Sequence, residues 1–213
     1  MRSENYSAGQ EASRTFTETA RRAQIVAAAT DTIAELGYGQ ASLARIAETA
    51  GTSKGVILYH FGSKDELIRE LIADLVAQGV AYMSPRVEAE PTGAGKLRAY
   101  IESNLAFMRE NRHRLVALVE IALNARAADG SRLYDFSIQD AGVAAIQQLL
   151  AHFQGTGEFR PGFDPHVMAM AIRAAINAVP AQLARDPALD TGHHARELAD
   201  LFHIATQSGE SPS

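Results

Sequence analysis

The chain of 213 residues contains no cysteine and no tryptophan. Without thiols it can form no disulfide, build no thiolate zinc site and present no thiol nucleophile. Aromatic residues make up only 7%, and alanine is abundant, a balance that favours helix over sheet. No basic segment followed by a continuous apolar run stands near the N-terminus, so no secretory leader is expected. The most apolar stretch, Val167 to Leu183, is broken by Arg173, Asn177 and Pro180 and is not expected to cross a membrane. Phosphate-binding glycine loops and the strand–serine–helix elbow of hydrolases are also missing. His193, His194, Glu197, Asp200 and His203 come within one helix's reach of each other. They lack the H-E-x-x-H pattern and are read as solvent-facing or interfacial. The expectation is a cytoplasmic protein that is not an enzyme, with no metal and no cofactor.

What is present is ordinary in bulk and uneven in distribution. Hydrophobic residues are 46% and charged residues 21%, enough for a substantial core in one or two domains. The net charge is −5, which is unexpected for a nucleic-acid binder until it is divided along the chain. Up to residue 64, Arg2, Arg14, Arg21, Arg22, Arg45, Lys54 and Lys64 face Glu4, Glu11, Glu18, Asp31, Glu35 and Glu48. The acidic surplus lies beyond residue 64, so the N-terminal part is the phosphate-facing candidate. Charges that merely solvate helix faces are the competing explanation.

Periodicity divides the chain into four segments. Residues 1–14 are polar and aperiodic and read as a disordered arm. Residues 15–64 form a first domain, whose opening helix runs from about Thr17 to Leu36 with Ile25, Ala29 and Ile33 on one stripe. Residues 65–207 form a second, helical domain, and residues 208–213 a disordered tail. Ser63 and Glu66 make a capping box that opens a long helix carrying Leu67, Leu71 and Leu75, expected to stop at about Met83 before Pro85. Pro85 to Gly95 reads as a linker. Helices are expected over Lys96–Asn111, His113–Arg126, Arg132–Phe153, Pro165–Arg185 and Arg196–Thr206. The fold class is all-α.

Residues 42–67 carry the most functional information. Ser42 is a good N-cap, and Leu43, Ile46, Ala47 and Ala50 share one helical face. Gly51 supplies the left-handed residue that ends this short helix. Thr52 or Ser53 caps a second one, which Val56, Leu58 and Tyr59 give material to pack. Two short helices around a tight glycine turn are a helix-turn-helix, whose second helix can enter the DNA major groove. That places the N-terminal end of the second helix, Ser53 to Ile57 with Lys54, Gly55 and Val56, toward base edges, and Val56 is able to touch a thymine methyl. Gly55 costs about 1 kcal/mol against alanine in a helix, which suggests a close approach. Arg45 on the exposed face of the first helix either reaches the DNA backbone or is simply solvated.

The same residues resemble the tetracycline-repressor (TetR) family of regulators. Gly37, Tyr38, Ser42, Ile46, Ala47, Ala50, Gly51, Ser53, Lys54, Gly55, Tyr59, His60, Phe61, Lys64 and Leu67 match its N-terminal signature in register over roughly residues 17–70. Ser42 stands where the family more often has threonine, and Thr52 where it has an aliphatic residue. The resemblance implies a helical homodimer that represses transcription from a palindromic double-stranded operator and leaves it when a small-molecule effector binds. It also implies that Tyr59, His60 and Lys64 donate to phosphate oxygens. For Tyr59 a place in the core is the alternative.

The second domain offers candidates of two kinds. Tyr100, Asn104, Phe107, Met108, Leu118, Phe136, His152 and Met168 fall on faces that point inward in a bundle, where ligand sites are built. Such a stripe is equally the composition of a plain core. Met168, Ile172, Ile176 and Val179, with Leu198, Leu201 and Phe202, are buried by expectation, since a segment apolar all round is buried all round; they read as the chain's own core or as a two-fold interface, and the resemblance favours the interface. An alternative to a ligand-responsive repressor is a small-molecule carrier or enzyme with a vestigial DNA head, although Lys54, Tyr59, His60 and Lys64 together argue against one. A nucleoid-type binder without sequence preference would need a more basic chain.

Overall fold

The computed structural model describes residues 4–127, 130–134, 137–186 and 188–208. Among the described residues ten helices follow one another: α1 Glu4–Leu36, α2 Leu43–Thr49, α3 Lys54–Phe61, α4 Lys64–Glu88, α5 Gly93–Glu110, α6 Arg112–Asn124, α7 Ser137–Gly155, α8 Pro165–Asn177, α9 Val179–Arg185 and α10 Thr191–Thr206. The only extended pairings among the described residues are two isolated bridges, Arg126 with Arg132 and Phe159 with Gln207. The fold is all-α.

Two compact units divide the chain. One comprises Met1–Asp74 and Glu120–Tyr134, the other Leu75–Val119 and Asp135–Ser213. The division thus falls ten residues after Lys64, and the end of α6 joins the N-terminal unit. In that unit Ile25, Val26, Ala29 and Ile33 of α1, Ile46 and Ala47 of α2, Ile57 and Phe61 of α3, and Leu67, Ile68 and Leu71 of α4 are all buried. In the other unit α5 lies along α10 and α7 along α8. Leu97, Ile101, Leu105, Ile146, Leu150, Ile172, Ile176 and Phe202 meet there in one apolar cluster.

Several element boundaries differ from those expected. The first helix includes residues 4–14, which were expected to be an arm. Their Glu, Gln, Ala and Arg favour helix and no proline interrupts them. Helix α4 runs through Pro85 to Glu88. Proline removes one backbone donor, but the loss falls in the last turn, which the Ala89 N–H closes on the Pro85 carbonyl at 3.1 Å. The expected linker shrinks to residues 89–92, and α5 starts at Gly93. A Cβ on Gly93 would lie 2.4 Å from Phe153 Cγ, so this glycine serves packing rather than a turn. Helix α7 starts at Ser137, because Arg132 is engaged in the bridge to Arg126. Helix α10 starts five residues before Arg196, where the Asp190 carboxylate accepts from the His193 N–H at 2.9 Å.

Residues 165–185 are long and apolar enough, by length and composition, to cross a membrane, with a mean hydropathy of 1.4. The structure breaks them at Ala178 into α8 and α9 of 13 and 7 residues, each shorter than the roughly 20 a span needs. The predicted tail lies, apart from Ser208, outside the described residues. The Ser208 hydroxyl donates to the Gly157 carbonyl at 3.1 Å.

Candidate nucleic-acid interface and apolar cavity

The helix-turn-helix is built by caps at each end of its two short helices. Ser42 Oγ accepts from the Arg45 N–H and Ser53 Oγ from the Val56 N–H, both at 3.3 Å. Gly51 has φ 59° and Gly62 φ 73°, a backbone region that costs other residues energy, so the chain turns where glycine allows. Ser63 Oγ accepts from the Glu66 N–H at 3.1 Å and opens α4. Ile57 and Phe61 turn one side of α3 into the core.

The opposite side of α3 is presented outward. Ser53, Lys54 and Gly55 are exposed, Val56 is half-buried and Tyr59 is 83% exposed. Tyr59 is therefore not a core aromatic. Ser42 and Arg45 of the preceding segment are exposed as well. His60 is half-buried. Its ring meets Tyr59 edge-on at 5.2 Å, and its Nδ1 is buried without a hydrogen-bond partner among the described residues.

Contacts from α1 and α4 hold this surface in place. The Arg22 guanidinium donates to the His60 carbonyl, pairs with the Glu70 carboxylate and lies 4.4 Å over the Phe61 ring. It thereby satisfies a carbonyl at the C-terminal end of α3, where cations are favoured. Gln24 Nε2 donates to the Ala50 carbonyl at 3.0 Å in the turn, and Thr32 and Thr49 join α1 to α2 through their hydroxyls at 3.0 Å. Sequence inspection missed these supports. Arg22 gives little signal, since a charged residue on α1 looks like surface until Glu70 and His60 are brought beside it.

Lys64 is the other unexpected case. Its Nζ donates to the Tyr38 carbonyl at 3.2 Å and sits 4.1 Å over the Tyr38 ring. Burial pushes its pKa below the ordinary value, against the opposing pull of Asp65. Burial and then Asp65 push the Tyr38 phenol the other way, upward. In this structure Lys64 is a clamp on the α1–α2 turn.

The eight candidate ligand contacts scatter. Tyr100 alone lines a cavity of about 240 Å³, together with Val80, Met83, Ser84, Val87 and Glu88 of α4, Leu97 of α5 and Ala145, Ile146 and Leu149 of α7. Asn104 is buried and its Nδ2 donates to the Tyr100 carbonyl at 2.9 Å. Phe107 and Met108 are core, with Phe107 against Tyr82 at 5.6 Å between rings. Leu118 and Met168 pack against that core. His152 is exposed, so it cannot line an interior site. Phe136 lies outside the described residues. Of the α4 wall, Ser84, Val87 and Glu88 lie beyond Met83, where the helix was expected to stop.

The expected interface residues divide between core and surface. Ile172, Ile176, Val179 and Phe202 are buried within the chain itself, and Met168 and Leu198 pack against the same cluster. Leu201 is exposed, and Val167, Met170 and Ile204 join it, the four being 52–64% exposed. A helix apolar all round has two apolar sides, and the chain's own core occupies one.

Comparison with known proteins accords with this architecture. Residues 25–71 match the family model of bacterial regulatory proteins, tetR family. An 88-residue stretch is 36% identical to the HTH-type transcriptional regulator BetI 1 of Chromohalobacter salexigens, covering 39% of this chain and 42% of that one. Over 100 residues it is 28% identical to the fatty acid metabolism regulator protein of Bacillus subtilis, covering 47% and 51%. The chain thus spans about half the length of the curated relatives it matches. Among solved structures it resembles FadR from Bacillus subtilis in complex with stearoyl-CoA, with TM-score 0.74, 20% identity and coverage of 84% and 95%. FadR from Bacillus halodurans is similar at TM-score 0.73, 20% identity and coverage of 85% and 93%. At that identity the likeness speaks for the fold. The signature of residues 25–71, set here on a capped, outward-facing helix-turn-helix, is that of the tetR family of bacterial regulatory proteins.

Proposed function

We propose that this chain is a cytoplasmic, sequence-specific transcriptional repressor that binds a palindromic operator as a homodimer and leaves it when a small, mainly apolar ligand occupies the α4–α5–α7 cavity. The observation that carries the DNA half is the outward side of α3. Lys54, Gly55 and Tyr59 are exposed there, while Arg22 holds the end of α3, Gln24 the α2–α3 turn and Lys64 the α1–α2 turn. Such a helix can be inserted into a major groove without unfolding anything. Tyr59 and His60 supply phosphate donors, and Ser42 and Arg45 extend the contact onto the DNA backbone. Lys64 reaches phosphate only with whatever donors its contact to Tyr38 leaves over.

For assembly, the exposed pairs Val167 and Met170 on α8 and Leu201 and Ile204 on α10 form one apolar strip per helix, each at i, i+3 spacing. Covering such strips with a second copy produces a two-fold interface. Two recognition helices must then lie about 34–36 Å apart to meet successive major grooves.

For the switch, α4 carries Lys64 at its first turn and the cavity wall from Val80 to Glu88 at its last. A ligand that favours one position of this helix lowers DNA affinity if that position misplaces α3. BetI 1 is by its name an HTH-type transcriptional regulator, and FadR from Bacillus subtilis a transcriptional regulator solved in complex with stearoyl-CoA.

The experiment is selection of bound duplexes from the source genome, followed by binding titrations on the selected site and on random DNA across salt. A repressor of this kind recovers a pseudo-palindrome and binds it at least about a thousandfold more tightly than random duplex. Equal affinity for both would leave only a non-specific binder, and no affinity for either would favour a small-molecule carrier with an unused head.

A further inference from the structure

Arg173 lies in the middle of α8, and no carboxylate among the described residues pairs with it. Its Nη1 donates to the Tyr100 hydroxyl at 2.8 Å and its Nη2 to Asn177 Oδ1 at 3.0 Å. Its Nε is buried and has no acceptor among the described residues. A half-buried guanidinium satisfied only by neutral groups is unusual, because charge taken from water is normally matched by an opposite charge. The fold also leaves it room. A Cβ on Gly142, inside α7, would lie 3.1 Å from Arg173 Nε, and glycine within a helix is otherwise disfavoured.

The hydroxyl that Arg173 holds belongs to the one aromatic residue of the apolar cavity. Since the Tyr100 oxygen accepts from Arg173, its own proton is left to donate elsewhere. Val80, Met83, Val87, Ile146 and Leu149 supply the apolar remainder of the lining. Glu88 also lines the cavity, but it is the exposed last residue of α4, and the Lys96 ammonium sits beside it on the carbonyls of Val87 and Glu88.

We infer that the cavity takes an amphiphile with a carboxylate head, the head directed to the Tyr100 hydroxyl backed by the Arg173 guanidinium and the chain lying along α4 and α7. The inference rests on the cavity being the effector site. An anionic head supplies the charge that Arg173 lacks, and hydrogen bonds to ionised partners are about twice as strong as neutral ones. A neutral molecule of the same shape leaves the guanidinium as it is.

Calorimetric titration of the full chain at neutral pH with octanoate and with octanol tests this. The chains match and only the head differs. Octanoate is expected to bind about tenfold or more tightly than octanol, the scale of one charge-assisted hydrogen bond. Arg173→Met should remove that preference while leaving octanol affinity nearly unchanged. Tyr100→Phe, which keeps the arginine and its packing, should reduce it in the same direction and decides the matter if the Arg173 variant does not fold. Leu149→Trp should suppress both ligands. Equal affinities in the parent, or a preference for octanoate that survives both head-group variants, would overturn the carboxylate assignment and leave the cavity standing. Octanoate binding that Leu149→Trp does not touch would place the anion elsewhere and overturn it too. Failure of both probes to bind the parent would overturn the cavity reading itself, and this inference with it.

Discussion

The backbone N–H of Tyr38 donates to Glu120 Oε2 at 3.3 Å, which ties the α1–α2 turn to the end of α6. The same carboxylate accepts from Asn124 Nδ2 at 3.1 Å. Gly37 lets it approach, since a Cβ there would stand 3.3 Å from that oxygen and φ is 78°. The turn is thus held from two sides, by Glu120 at its amide and Lys64 at its carbonyl. Replacing Glu120 with Ala removes a charged acceptor and should cost about 1 kcal/mol of stability. It should also weaken operator binding several-fold by loosening α2. Urea unfolding and anisotropy titration check this, and an unchanged operator affinity would separate the turn from DNA recognition.

Tyr59 should separate recognition from stability. Its exposed ring makes few folded-state contacts, so Tyr59→Ala is expected to change stability by no more than about 0.5 kcal/mol. Operator affinity should fall about tenfold or more with the loss of a phosphate donor. Arg22→Met should lower both quantities, since it leaves Glu70 unpaired and the end of α3 uncapped. Thermal melts beside binding isotherms distinguish the two, and a Tyr59 variant that melts early would make this residue structural.

The Tyr38–Lys64 pair sets opposite pH trends. Between the depressed pKa of Lys64 and its ordinary 10.5, the unfolded chain holds more protons than the folded one, so the Lys64 contribution to stability rises with pH. Between the ordinary 10.0 of Tyr38 and its raised value the folded chain holds more, so the Tyr38 contribution falls. Tyr38→Phe removes only the falling contribution. Relative to the parent, the variant should gain stability as pH rises through 10.0. Urea titrations at about pH 8 and about pH 11 give the sign, and a difference that shrinks or stays constant would contradict it.

For assembly, Leu201→Glu should give a monomer that keeps its helix content and fold and binds the operator weakly. Ile176→Asp should instead destabilise the chain by about 3 kcal/mol or more, because it buries an unpaired charge in the core. Sedimentation and circular dichroism on both variants check this. A Leu201→Glu dimer would place the interface on another face.

The helix-turn-helix was legible in the sequence because local rules determine it. Ser42, Gly51, Ser53 and Ser63 act on their own neighbours, through caps and turns that need no distant partner, and the spacing of Ile25, Ala29 and Ile33 and of Ile46 and Ala47 already separates core from surface, whereas Ile57, read as facing DNA, is buried. All-helical architecture followed from composition and period for the same reason. Tertiary structure alone decided what depended on pairing between distant segments. Arg22 became a support only once α1 lay against α3 and α4, and Lys64 turned to Tyr38 because folding brought the turn over it. Which apolar side of α8 faced inward, and which of the bundle's aromatic residues met a cavity, were equally undetermined. Helical periodicity states that a face is apolar, whereas burial depends on which helix arrives to cover it.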